Sequence, residues 1–247
     1  MGTSKSFSDL NSKGPELPNW PTLSNSITRA CDGGILPQPR IKRILSNYVS
    51  TVGGASVTGR GGSKAVGRAG IATAKKLGAV FSAFQGGADI KSALAEVGLT
   101  NLEGKTVQDV INHLIEFCSG PTSSIDENAA KEASRMLLEN LVSDAETIED
   151  LESVLEERFD IDSSEDLIIQ YFGYYVYEHL SKWFYEHLVR KKNETDCKSL
   201  FRQIKDCINQ MLITVNRTNP LHNIDWGSTD ADRIIKNIYQ DVLTVFE

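Results

Sequence analysis

Residues 41–52 read IKRILSNYVSTV, and the spacing of their apolar side chains decides the fold class. Ile41, Ile44, Leu45, Tyr48, Val49 and Val52 recur at i, i+3, i+4, i+7, i+8 and i+11, which on a helix of 3.6 residues per turn is one continuous stripe. The same spacing returns in Val107, Val110, Ile111, Leu114, Ile115 and Cys118, before Gly120-Pro121 ends the run. Ser124 with Glu127 predicts a capping box, followed by Ala129, Ala130, Ala133, Met136, Leu137 and Leu141 facing inward. Ser143 with Glu146 predicts the start of another helix carrying Ile148, Leu151, Val154 and Leu155. Three further helices are predicted over 164–190, 195–215 and 229–246. No run alternates with the period of two that a half-buried strand requires. The expectation is an all-α, multi-helix globular body over residues 37–247.

Outward from this core the composition changes twice. Five of the seven prolines lie in the first 39 residues, at 15, 18, 21, 37 and 39, which predicts residues 1–36 as an extended N-terminal tail. Its one adhesive element is Pro15-x-x-Pro18-x-Trp20-Pro21. That element suits docking in a partner's groove as polyproline II, and Trp20 suits equally well a return onto the chain's own helices. Ten of the nineteen glycines fall between 53 and 88. The first part, GGASVTGRGG at 53–62, is predicted as a flexible loop. Farther on, Gly70, Ala74, Gly78, Ser82 and Gly86 recur every fourth residue and give a helix one smooth ridge. Such a ridge admits a close neighbour, inside the fold or from a second copy.

Bulk properties narrow the function. At 40% hydrophobic and 24% charged residues the chain has the balance of an ordinary globular protein, and no stretch approaches the ~20 apolar residues of a membrane span. The N-terminus lacks the apolar core of a secretory signal. Cys31, Cys118, Cys197 and Cys207 form neither a CxxC nor a recognisable disulfide framework. A reduced, cytoplasmic protein is expected. The net charge of −7 is unevenly spread: nine Lys and Arg face Asp32 alone between 29 and 76, whereas fifteen Asp and Glu face three cations between 126 and 166. These read as two solvated faces that attract each other within the fold or between copies. A nucleic-acid surface around Arg60, Lys64 and Arg68 is the competing reading, weakened because Tyr48 is the only aromatic residue near it.

Catalytic patterns fail one by one. Gly54 to Gly59 has phosphate-loop spacing, but Arg60-Gly61 follows where Lys-Ser/Thr must reach phosphate and magnesium. Tyr177-Glu178-His179-Leu180 recurs as Tyr185-Glu186-His187-Leu188, yet histidines eight apart on a helix are separated by ~12 Å and cannot chelate one metal. That repeat is predicted as an amphipathic helix with its Glu/His pairs at the rim. The aromatic cluster Tyr171, Phe172, Tyr174, Tyr175, Tyr177, Trp183, Phe184 and Tyr185 exceeds one core stripe, so part of it is expected to form a binding surface. His113 and His222 read as structural. Without a nucleophile–base pair, a metal set or a bound cofactor, the chain reads as a non-enzymatic protein that is acted upon.

The N-terminus supplies the handle. Met1 is removed by aminopeptidases when the next side chain is small, which leaves the amine of Gly2, pKa ~8 and sterically open. Residues 3–14 are polar except Phe7 and Leu10 and show no core-building period. Three readings compete for this end: an unmodified disordered tail; N-myristoylation, since Met1-Gly2-Thr3-Ser4-Lys5-Ser6 fits the M-G-x-x-x-[ST] pattern; and another acylation of the same amine.

The opening MGTSKSFS, the element Gly14-Pro15-Glu16-Leu17-Pro18-Asn19-Trp20 and the block GGASVTGRGGSKAVGRAG at 53–70 together resemble the B-component family of bacterial Qat antiphage-defence systems, QatB. Such systems encode an ATPase, the B component, a QueC-like enzyme and a TatD-like nuclease. The resemblance implies that the QueC-like partner spends ATP to adenylate a 7-carboxy-7-deazaguanine and transfers it to the Gly2 amine as an amide. It implies further that Thr3, Ser4, Lys5 and Ser6 thread the partner's tunnel, with Phe7, Pro15, Pro18 and Trp20 anchoring outside. Myristoylation gives way on this reading, because its transferases are eukaryotic. The alternative is a helical scaffold or nucleic-acid adaptor using the basic 40–76 region. The Qat ATPase and a second copy are further expected partners, and no membrane is.

Overall fold

The computed structural model describes residues 19–58, 66–85, 90–161, 163–217 and 224–247. Every regular element among them is helical: α1 (Trp20–Ala30), α2 (Gln38–Thr51), the single turn α3 (Ala55–Thr58), α4 (Arg68–Gln85), α5 (Ile90–Glu96), α6 (Val107–Ser119), α7 (Ile125–Leu141), α8 (Ile148–Ile161), α9 (Ser164–Val189), α10 (Glu194–Leu212) and α11 (Thr229–Thr244). The all-α expectation holds.

Helix α9 organises the rest. Its 26 residues span about 39 Å, and α1, α4, α7, α10 and α11 all pack on it. Leu167, Ile168, Ile169, Tyr171, Phe172, Tyr175, Val176, Leu180, Trp183 and Phe184 are buried on every side of the axis. A helix hydrophobic all round must lie inside a protein or a membrane, and no described helix is long and apolar enough to cross a membrane. The aromatic cluster is therefore core. Tyr177 and Tyr185, its half-buried members, set their rings edge-on against Phe201 of α10. The expected aromatic binding surface is corrected: five neighbouring helices bury several stripes of α9, where periodicity predicts one.

The stripe of α2 is buried as expected, from Ile41 to Val49. The Ser124/Glu127 capping box forms at the start of α7. At α8 the start differs from the Ser143/Glu146 prediction. Thr147 accepts from Asp150 N at 3.1 Å and donates its own N–H to the Asp150 carboxylate at 2.9 Å, so the helix begins four residues later.

A second correction concerns the tail. Residues 20–30, expected to be extended within 1–36, form α1, with Leu23, Ile27 and Ala30 buried against α2 and α9. Proline misled the reading. Pro21 occupies the first turn of α1, where a missing N–H costs nothing and the fixed φ suits the helix. The packed body therefore includes Trp20–Ala30, ahead of the predicted start at residue 37. Within the predicted glycine loop at 53–62, Ala55–Thr58 make the turn α3, and Ala55 N donates to the Glu247 carboxylate at 2.9 Å. Residues 59–62 lie outside the described residues.

The small-residue ridge lies on α4 and its contacts are internal. It admits aromatic rings in place of a neighbouring helix backbone: Gly70 faces the ring of Tyr175 and Gly78 that of Trp226, while Ala74 is buried and Gly86 lies outside the described residues. A Cβ on Gly70 would sit 2.7 Å from Tyr175 Cζ. Gly70→Ala gains ~1 kcal/mol of helix propensity but overpacks a sealed ring at ~1–3 kcal/mol. We expect a net loss of about 1 kcal/mol, within a range of about 0–2, in urea denaturation. An unchanged or raised midpoint would mean that the Tyr175 ring yields.

Candidate functional site

The proposed chemistry lies at the N-terminus, and Met1, Gly2, Thr3, Ser4, Lys5, Ser6, Phe7, Pro15 and Pro18 fall outside the described residues. The described chain starts at the root of that segment. Asn19 takes φ 60° and precedes α1 without a side-chain cap. The Trp20 ring stacks on Phe184 (5.0 Å between centroids, 19°) and meets Trp183 edge-on (5.3 Å, 78°). Of the two roles weighed for Trp20, the structure puts the half-buried ring on the chain's own α9.

The second place of interest escaped the sequence reading. Asp126, in the first turn of α7, is 8% exposed and serves as acceptor for four donors from two other elements. Its Oδ1 accepts from the Tyr175 hydroxyl, from Gly67 N at 3.0 Å and from His179 Nε2 at 3.1 Å; Oδ2 accepts from Ala69 N at 2.8 Å. Gly67 N also points at the Tyr175 hydroxyl oxygen, 2.9 Å away. Because Gly67 and Ala69 bracket the first residue of α4, Asp126 caps that helix from a neighbouring one. A carboxylate at a helix N-terminus satisfies orphan N–H groups and is favoured by the macrodipole. Gly67 holds φ +96°, a left-handed conformation that glycine adopts without strain.

Electrostatics follow from the geometry. Burial pushes the Asp126 carboxyl up, but the His179 hydrogen bond and charge, the Tyr175 hydroxyl and Ala69 N together hold it below the usual carboxylate range. Burial pushes the Tyr175 phenol well above its ordinary value, and the nearby Tyr239 and Asp126 push the same way. His179 Nδ1 has no hydrogen-bond partner among the described residues. A juxtaposed Asp, His and Tyr suggests acid–base chemistry by type alone. Here His179 is 1% and Tyr175 0% exposed, so the trio cannot meet a substrate and acts as a fastener for the chain leaving the glycine-rich segment.

His179 corrects the reading of the YEHL repeat. Its first histidine lies in the core and only His187 is exposed. His113 is structural as expected, with Nε2 2.9 Å from Val97 O, and His222 lies outside the described residues. The signal for the fastener was weak, because Asp126 is one of fifteen acidic residues in its stretch and stands 53 residues from His179.

Of the basic patch only Arg68 falls among the described residues, exposed at the start of α4, whereas Arg60 and Lys64 lie outside them. Two cations of the same stretch are engaged internally. Lys75 pairs with Asp232 at 2.8 Å, and Lys76 lies over the Phe117 ring while donating to Phe117 O at 2.9 Å. Among the described residues no group of three His, Cys, Asp or Glu is placed to hold a metal. A hollow of about 740 Å³, open to solvent, lies between residues 99–107 and 146–149. It gathers Lys91, Lys105, Glu103, Glu146 and Glu149 but neither histidine nor cysteine.

No curated protein and no solved structure matches the chain. The family described as Qat anti-phage system associated protein QatB matches over residues 61–246. That span contains Gly67, Asp126, Tyr175 and His179 and ends within the last turn after α11. With well over half its length matched, the chain belongs to the QatB family and is a component of Qat antiphage defence.

Proposed function

We propose that this protein is the acceptor in a conjugation reaction, with the Gly2 amine, uncovered by loss of Met1, as nucleophile. The observation that carries the reading is the polar, period-free opening MGTSKSFSDLNSKG, set ahead of a helix whose root is held on α9 by Trp20. Membership of the Qat family supplies the setting, a system of partner proteins.

In the proposed step, a QueC-like partner enzyme has used ATP to adenylate the carboxyl of 7-carboxy-7-deazaguanine. The neutral Gly2 amine attacks that acyl carbon. A C–N bond forms, the C–O bond to AMP breaks, AMP leaves with the electron pair, and the amine's surplus proton passes to a base of the partner. Glycine suits the step because an amine approaching a planar acyl adenylate tolerates no crowding side chain. Thr3, Ser4, Lys5 and Ser6 supply an extended backbone for the partner's tunnel, and Phe7, Pro15 and Pro18 supply anchoring side chains. Trp20 then fixes where the tail departs from the body. The ATP and the deazaguanine belong to the partner's site and substrate, and this chain binds neither as a resident cofactor. The internal engagement of Lys75 and Lys76 favours this reading over a nucleic-acid adaptor built on residues 40–76.

The test is the mass of the intact protein and of its N-terminal peptide, after expression with and without the neighbouring Qat components. An adduct on Gly2 that needs the QueC-like partner, with Met1 gone, is the expected result. An unmodified Gly2 or a retained Met1 in both samples would overturn it.

A further inference from the structure

The two thiols that end α1 and begin α10 are placed for chemistry with each other. Cys31 is the C-cap of α1, its N–H donating to Ile27 O at 3.1 Å. Cys197 lies in the first turns of α10, its N–H donating to Asn193 O at 3.1 Å. Their sulfurs are 2.9 Å apart, although 166 residues separate them in sequence. Both are buried, at 1% and 0% exposure, so a small oxidant reaches them only through local opening of the fold. A disulfide needs ~2.05 Å, so less than about 1 Å of closure separates this contact from a bond.

The surroundings hold the pair in register. Lys192 pairs with Asp32 next to Cys31. Gln203 of α10 accepts from Leu36 N at 2.7 Å and donates to Gly34 O at 3.1 Å. Residues 31–36 are thus strapped along α10 on both sides of the sulfurs. The other two cysteines lack this arrangement: Cys207 lies 3.9 Å from the Met211 sulfur, and Cys118 is buried on α6. We propose that Cys31 and Cys197 form a reversible disulfide under oxidising conditions and so lock α1, the helix carrying the N-terminal tail, to α10.

Roles follow from position. Burial, the Cys197 thiol and the nearby Asp196 push the Cys31 thiol up to about 12, which makes Cys31 a weak initial nucleophile and suits it to the second, resolving step. With a hydroperoxide as oxidant, Cys197 Sγ attacks one peroxide oxygen and the O–O bond breaks. The Cys197 thiol proton joins the leaving hydroxide as water, and Cys197 becomes a sulfenic acid. Cys31 Sγ then attacks the Cys197 sulfur, the S–O bond breaks, and hydroxide leaves with the Cys31 proton as a second water. Two thiols are oxidised by two electrons and one hydroperoxide is reduced. A dithiol reductant reverses the bond.

The inference does not depend on Gly2 chemistry, and its test uses the full chain alone. The reduced protein is treated with hydrogen peroxide under native conditions, quenched, unfolded, alkylated with N-ethylmaleimide and mapped as tryptic peptides. Four adducts are expected before oxidation and two after, on Cys118 and Cys207. A Cys31–Cys197 linked peptide should appear, two hydrogens lighter than its separate parts. The apparent melting temperature should rise by several degrees, fall back with dithiothreitol, and fail to respond to peroxide in Cys31→Ser. Four adducts after peroxide, sulfinic acid on either residue in place of the linkage, or a bridge formed only in urea would each overturn the proposal. The wild-type peptide map decides the matter even where the serine variant folds poorly.

Discussion

Asp126→Ala is expected to lower the unfolding free energy by about 3–5 kcal/mol, the range for breaking a buried pair by removing one partner. The carboxylate is the common acceptor for Gly67 N, Ala69 N, the Tyr175 hydroxyl and His179 Nε2. Its loss strands the Ala69 N, Tyr175 and His179 donors, each costing ~1–3 kcal/mol if left dry, while Gly67 N keeps the Tyr175 hydroxyl oxygen as acceptor, and water entering the gap recovers part of the cost. Asp126→Asn separates charge from shape, and pH reads the difference. The folded carboxyl lies below its ordinary value, so its contribution is fully present above the unfolded value, ~3.9. It is lost as pH falls through the folded value. Urea midpoints measured from pH 7 to pH 3 should show a wild-type advantage over Asp126→Asn that shrinks below about pH 4. Asp109, Glu127 and Asp166 are also depressed and steepen the acid limb of both proteins. The difference curve cancels their common part and leaves Asp126 with its partner His179. A constant difference from pH 7 to pH 3 would show that its ionisation is not coupled to folding.

This fastener marks the boundary of what the sequence makes legible. The stripe of α2 and the capping box of α7 are local patterns, written within four to twelve consecutive residues, and both form where the spacing predicts them. The YEHL repeat is equally visible, but whether a histidine sits at a rim or in a core depends on how many helices surround α9. That is a tertiary fact. Periodicity assigns a helix one buried face, whereas α9 is enclosed by five neighbours, and so His179 lies deeper than the rim the repeat predicts and the aromatic cluster is core where part of it is predicted to form a binding surface. Tail and body divide by a related logic. Proline density argues against helix on average, yet Pro21 sits at the one helical position that tolerates it, and the interval from Trp20 through Leu23 and Ile27 to Ala30 carries the helical period beneath it. The sulfur pair is the extreme case, since a contact across 166 residues leaves no mark in either local sequence.

Such a body matters to the proposed chemistry because it fixes where the tail begins. Trp20 holds the start of α1 on Phe184 and Trp183, and residues 31–36 hold its end on α10. An acceptor amine must reach a partner's buried acyl adenylate, which requires free chain length. The eighteen residues ahead of Asn19 could reach up to about 60 Å if fully extended. On the proposed reading, a fixed root with a long reach would let one surface dock the enzyme while the amine enters its tunnel, and would confine the encounter to a high effective concentration.

Gly2→Glu is accordingly expected to reduce both conjugation and phage protection to background while leaving the helical fold and its melting temperature unchanged. Two effects act together. Glutamate at position 2 keeps aminopeptidases from removing Met1, so the acceptor amine is displaced by one residue, and its side chain would crowd the acyl carbon. Gly2→Ala separates them, since alanine is small enough for Met1 to be trimmed but still places a Cβ beside the attacking nitrogen. On the steric argument it too should lose the conjugate. Position 2 lies outside both the described residues and the span matched to the family, and an unchanged melting temperature separates loss of the amine from loss of the fold. The charge reversals Arg60→Glu, Lys64→Glu and Arg68→Glu make the opposing experiment. A nucleic-acid adaptor would lose protection with them and show steep salt dependence, whereas a conjugation acceptor keeps its N-terminal adduct. Full protection by Gly2→Glu, or an adduct that survives on another residue, would remove the Gly2 amine from the mechanism.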